Sequence, residues 1–164
     1  MNGRASGGEA GPPETREQSG IRGRVLRIGP HTVKLEPPDL FGMVLDGLLL
    51  PEHVEETYVY QRILAADSGR VLLLIDLAQA MGLPAETRRM MKNAGDLPYR
   101  GIAIHGANFK KRVLGNMAVM AMNLLTGNQE CPVRFFATEA EARRWIIVRR
   151  AVLVQARSRV ATPR

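Results

Sequence analysis

The stretch VLLLIDLAQAMGLPAETRRMM, Val71–Met91, decides how this chain is read. Five apolar residues, Val71 to Ile75, run unbroken and are followed by Asp76. An apolar run this short, rich in branched residues, predicts a central strand buried on both faces. The spacing ends that strand at Leu77 and places Asp76 at its carboxyl end, where open α/β sheets build their sites. A loop holding Gly82 and Pro84 is expected next, then a short helix over Pro84–Asn93.

Outward from this segment the elements alternate. Upstream, Pro51–Ala66 reads as a helix, with Pro51 at its first position and Glu52, Glu55 and Glu56 at its positive end. Asp67-Ser68-Gly69 stops it. Leu40–Leu45 reads as a strand closed by an Asp46-Gly47 turn, and Thr32–Leu35 as an edge strand after Gly29-Pro30. Downstream come a buried strand, Gly101–His105, a helix, Phe109–Leu125, and a last strand, Val133–Phe136. Thr138 with Glu141 three residues later makes a capping-box signature for a helix running through Trp145 and open to continuation past Val148. This order predicts an α/β fold: a mixed, mostly parallel sheet of four to five strands with about four helices. Residues 1–20 are Gly, Pro, Ser and charge, and are expected to be disordered. Residues 21–147 make one domain, and 148–164 a basic extension.

Composition narrows the function. The net charge is +7, but the body from 39 to 147 carries twelve basic and twelve acidic residues. The excess lies at the ends, and residues 148–164 hold five arginines and no acid. A neutral body argues against a nucleic-acid-binding domain. Cys131 stands alone, so no internal disulfide forms, which fits a cytoplasmic chain. No apolar run approaches the roughly 20 residues of a membrane span.

Four segments carry a family resemblance: MVLDGLLLPE (Met43–Glu52), VLLLIDL (Val71–Leu77), RGIAIHG (Arg100–Gly106) and RFFATEAEARRWI (Arg134–Ile146). With these the chain resembles the SpoIIAA-like family of the STAS superfamily over roughly residues 31–147. The resemblance implies a small sheet flanked by helices, no known chemistry, and binding of apolar ligands or membranes. STAS-type antagonists carry a phosphorylatable serine just past the central strand. That element falls on PAET, Pro84–Thr87, which has no serine, and Glu86 stands near the phospho-site.

Catalytic signatures are sparse. His31, His53 and His105 are far apart in sequence, with no metal-ligand spacing, and no cofactor or metal is expected. Asp76 and His105 fall at neighbouring strand ends, where such a pair could serve as general acid and base, although a structural hydrogen bond is the simpler reading. Cys131 reads as a small buried apolar residue.

The segment Phe109–Leu125, FKKRVLGNMAVMAMNLL, carries the functional expectation. At about 100° per residue its apolar residues cover well over half the circumference, more than one packed stripe needs. The surplus must meet a ligand, a partner, a second copy or a membrane. Lys110, Lys111 and Arg112 precede it and suit an anionic headgroup. The expected ligand-binding residues are His105, Phe109, Lys110, Lys111, Arg112, Val113, Met117 and Met120, with Met81, Met90 and Met91 as a far wall. The sequence therefore points to a non-catalytic module for an apolar or amphipathic small molecule or a membrane surface. The alternative is a degenerate STAS-type protein-interaction module. Either is expected to be cytoplasmic, peripheral to the membrane at most.

Overall fold

The computed structural model describes residues 23–91, 97–108 and 131–160. The expectations for residues 1–20 and for the helix Phe109–Leu125 lie outside them. The elements run β1 (Val25–Ile28), β2 (His31–Glu36), β3 (Leu40–Leu48), α1 (Pro51–Ser68), β4 (Val71–Gly82), α2 (Ala85–Met91), β5 (Tyr99–His105), β6 (Val133–Phe135) and α3 (Glu139–Val160). The strands form one six-stranded sheet in sequential order. β1, β2 and β3 pair antiparallel, and β3 through β6 pair parallel.

The fold class is as the sequence implies, with more strand. β1 is an additional strand, the first arm of a hairpin that turns at Gly29 and Pro30. Its four residues, VLRI, are too short and too charged to show a period. Asp46-Gly47 is not a turn. Both residues lie within β3, where Gly47 takes φ +75° beside a register shift, so the Gly absorbs a bulge. Ala78–Gly82 is not a loop either: it continues β4, paired to Gly47 and Leu48 at its tip. Backbone pairing to β3 overrides the weak local pattern there.

Both faces of the sheet are covered. Val71, Leu72, Leu73 and Leu74 are buried, as the apolar run requires. Leu73, Ile102 and Ile104 join Phe41, Val54 and Leu64 in the core under α1, and Met90 and Met91 of α2 pack at its margin. On the other face Leu72, Leu74 and Ala103 meet Ala142 and Ile146 of α3. α1 begins with Pro51 in its first turn and ends at Gly69, whose φ of 69° lets its N–H reach the carbonyl of Ala65 at 2.8 Å. At α3 the capping box forms: Glu141 N–H donates to Thr138 Oγ1 at 3.3 Å, and Thr138 N–H to Glu141 Oε2 at 3.2 Å.

α3 runs through Val160, so the basic extension begins as helix. Two ion-paired contacts hold it. Arg143 grips Glu36 of β2 with both terminal nitrogens at 2.9 Å. Arg150 Nε reaches Asp39 Oδ1 at 2.7 Å, while Arg70 Nε reaches Asp39 Oδ2 at 2.6 Å. Asp39 is fully buried, so one carboxylate ties the start of β3, the start of β4 and α3 together.

Candidate functional site

The carboxyl ends of the parallel strands hold the chemistry-bearing side chains. β5 ends at His105, directly opposite Asp76 of β4. His105 Nδ1 lies 3.9 Å from Asp76 Oδ1, close enough for an ion pair and too far for a hydrogen bond. Asp76 Oδ1 instead accepts the N–H of Ala78 at 2.8 Å. Gly106 permits this. Its φ is +71°, and a Cβ there would overlap Asp76 Oδ1 and approach Ala78 N to 2.9 Å. His105 is buried and Asp76 half-buried. The two are thus in register, and the carboxylate is engaged by backbone.

Beyond this point β3 and β4 pair only with each other among the described residues, as a two-stranded arm. Two apolar side chains near its tip are exposed, Met81 by 79% and Leu48 by 46%. The chain leaves β5 at the same end, through Gly106, Ala107 and Asn108. Of the expected ligand-binding residues, only His105 is described. Phe109, Lys110, Lys111, Arg112, Val113, Met117 and Met120 lie outside the described residues.

A second cluster at this end was invisible in the sequence. His31, at the start of β2, and His53, in the first turn of α1, meet with His31 Nε2 3.1 Å from His53 Nδ1. The backbone fixes the protons. Asp46 N–H donates to His31 Nδ1 at 3.1 Å, so His31 carries its proton on Nε2 and donates it to His53. His53 Nδ1 also accepts Leu50 N–H at 3.3 Å, capping α1, whose N-cap residue Leu50 has no side-chain oxygen. A Cβ at Gly29 would overlap the His53 ring. The separation of 22 positions between the histidines hides this; Gly29, at φ +55° two positions before His31, is a local trace.

This cluster sets an acid response. Burial pulls the His31 pKa below its ordinary value, and His53 and Arg27 add to that, against Asp46 and the Leu48 backbone. The unfolded chain therefore binds the proton first, and the stability due to neutral His31 is complete above pH 6.5 and lost as pH falls below it. Glu36 is lowered by its hydrogen bonds to Arg143, and its contribution is lost further down, below pH 4.5. Urea midpoints are expected to fall between pH 7 and pH 5, and His31→Gln is expected to flatten that part of the curve. An unchanged slope in the variant would place the response elsewhere.

Cys131 is buried, and burial pushes its thiol up to about 11, which makes it unreactive. Among the described residues no group of three His, Cys, Asp or Glu could hold a metal ion, and no helix is long and apolar enough to cross a membrane.

No family model and no curated protein matches the sequence. Among solved structures, the chain is similar to the crystal structure of an uncharacterized DUF3478-family protein from Shewanella loihica, described as having a SpoIIAA-like fold. The identity is 19%, the match covers 69% of this chain and 89% of that one, and the TM-score is 0.51. This chain has a SpoIIAA-like fold. The likeness speaks to architecture alone. Within the SpoIIAA-like fold, α2 occupies the place that the sequence resemblance gives to the phosphorylatable element. There Thr87 is fully buried, and its hydroxyl donates to Leu49 O at 2.9 Å. It is a structural hydroxyl, tying α2 to the end of β3. Glu86 beside it is exposed.

Proposed function

We propose that the chain is a non-catalytic binding module that holds an apolar or amphipathic small molecule at the carboxyl ends of its strands. The observation that carries this reading is the β3–β4 arm, where Met81 and Leu48 stand exposed beyond the last residue that β5 covers. Exposed methionine is costly to leave in water and adapts to irregular apolar shapes. Met90 and Met91 border the core nearby. In this reading the Met-rich stretch around Met117 and Met120, which lies outside the described residues, joins them in lining the site, and Lys110, Lys111 and Arg112 meet an anionic head group. Asp76 and His105 serve as structure in this reading, since the carboxylate is held by the Ala78 amide.

Native mass spectrometry of protein purified from its own cells, with fatty-acid titration of the stripped protein, tests it. A bound small molecule is expected, together with roughly tenfold weaker fatty-acid binding in a Leu48→Asp, Met81→Asp variant, as burial of a charge in an apolar site implies. Absence of both a co-purified molecule and fatty-acid binding would sink the reading. The degenerate STAS-type interaction module is then the reading left, supported by the buried Thr87, which offers no switch hydroxyl.

A further inference from the structure

The β3–β4 arm begins where its neighbours end. Thr32 opposite Val44 is the last pair of β2 with β3, and Asp76 opposite His105 the last of β4 with β5. From Asp46, paired with Gln79, to Leu48, paired with Gly82, the two strands meet only each other among the described residues. A two-stranded ribbon is marginal by itself, so what holds its ends matters.

The histidine pair holds both ends of the β3 side. His31 Nδ1 accepts the N–H of Asp46, the first residue of the arm, at 3.1 Å. The ring thereby takes over where the β2 ladder stops. His53 Nδ1 accepts the N–H of Leu50, two positions past Leu48, at 3.3 Å. His31 Nε2 joins the two rings at 3.1 Å. Both backbone bonds need a bare δ nitrogen, so this arrangement exists only with neutral rings. A proton on His31 Nδ1 faces the Asp46 N–H donor against donor, and Nε2 is already turned to His53.

The surroundings keep His31 neutral while the arm is closed. Burial opposes its charge most, and His53 of α1 and Arg27 of β1 add to that. Asp46 and the Leu48 backbone, both in β3, favour the charge. The positive end of α1 beside the pair opposes it as well. Glu52, Glu55 and Glu56 of α1 are exposed to water.

We propose that His31 is a proton-operated catch for the β3–β4 arm: proton uptake by its ring breaks the bond to the Asp46 amide and frees the arm. Histidine is the side chain suited to this, because its charge changes in the mildly acidic range. The consequence for binding rests on the function proposed above. The arm carries Leu48 and Met81, so a freed arm lets an apolar ligand go in acid.

Amide hydrogen exchange, followed by NMR on the full chain without ligand between pH 7 and pH 5, tests the catch. Asp46 reports the root of the arm, and Leu49, whose N–H donates to Gly82 O at 3.3 Å, reports its tip. Ile102, whose N–H donates to Pro132 O at 3.0 Å, reports the body of the sheet. Protection of Asp46 and Leu49 is expected to fall together below pH 6.5, approaching about tenfold per pH unit, as linkage to one proton requires. Both are expected to stay at least about a hundredfold less protected than Ile102, which marks local opening. His31→Asn offers an amide oxygen in place of Nδ1 and does not titrate, so its arm is expected to show level protection. In the wild type the ring nitrogens of His31 are expected to titrate with the midpoint of the Asp46 amide, a readout that needs no variant.

The catch is overturned if Asp46 and Leu49 are as protected as Ile102 throughout, since the arm then opens only with the whole fold. It is equally overturned if His31→Asn keeps the wild-type slope, or if His31 titrates outside the range in which the arm loosens. Decyl sulfonate, whose head group keeps its charge across this range, separates the ligand question. Several-fold weaker binding at pH 5 than at pH 7 in the wild type, and level binding in His31→Asn, is expected. Equal wild-type affinity at both pH values overturns acid release. No binding at either counts against the proposed function alone, and the exchange data still decide the catch.

Discussion

Asp39→Ala is expected to lower stability by about 3–5 kcal/mol, because removing one partner of a buried ion pair strands the charges that remain. Here two are stranded. Arg70 and Arg150 approach the two oxygens of Asp39 from opposite elements, and Arg70 is only 11% exposed. The Arg150 Nη2 nitrogen is already buried with no hydrogen-bond partner among the described residues, so nothing nearby takes up the slack. Urea unfolding measures the loss. Arg150→Met is the informative companion. It removes the second arginine but leaves the Arg70–Asp39 pair, and its long apolar stem keeps the packing, so its loss is expected to be well under half as large. Equal losses in the two variants would mean that the pairing contributes little beyond helix packing.

Gly106→Ala is expected to cost about 2–5 kcal/mol. Roughly 1–2 kcal/mol comes from forcing a Cβ into the left-handed region, and roughly 1–3 from overpacking. The second part arises because the new Cβ would overlap Asp76 Oδ1 and lie 3.1 Å from Ala78 Cβ. Gly47→Ala separates the two causes. Gly47 has φ +75° but nothing within 4 Å of its would-be Cβ, so only the conformational part applies. A Gly106→Ala loss no larger than that of Gly47→Ala would show that Asp76 and Ala78 yield at no cost. The same variant should shift the Ala78 amide resonance, since the Asp76–Ala78 hydrogen bond lies under the added methyl.

These variants probe different layers of the structure, and the layers were unequally legible. The run Val71–Leu74 announced a strand buried on both faces, and all four residues are buried. Thr138 and Glu141 announced a capping box, and it forms. Local signals of this kind survive because the residues that write them also make the contacts. Pro51 and Gly69 bound α1 for the same reason. Asp46-Gly47 misled, because a bulged glycine inside a strand and a glycine in a turn use the same positive φ, and only the neighbouring strand distinguishes them. The extension of β4 to Gly82 was hidden likewise. LAQAMG has little strand character of its own and is held by pairing to β3.

The site was less legible than the fold. Asp76 and His105 could be placed at adjacent strand ends from the apolar runs before them. Their 3.9 Å separation could not, since it depends on the register between β4 and β5 and on the turn that Gly106 allows. The contact between His31 and His53, and the grip of Arg70 and Arg150 on Asp39, join positions with no sequence relation.

By itself, then, the sequence determined the periodic part of this protein: which residues are apolar, where helices can start and stop, that strands and helices alternate, and that the folded body is neutral. Tertiary structure alone decided which polar groups meet, how far β3 and β4 run, and which side of α3 is left in water. The physical reason is range. Periodicity and capping act over one or two turns of chain, while ion pairs, register and exposure are set by segments that only folding brings together.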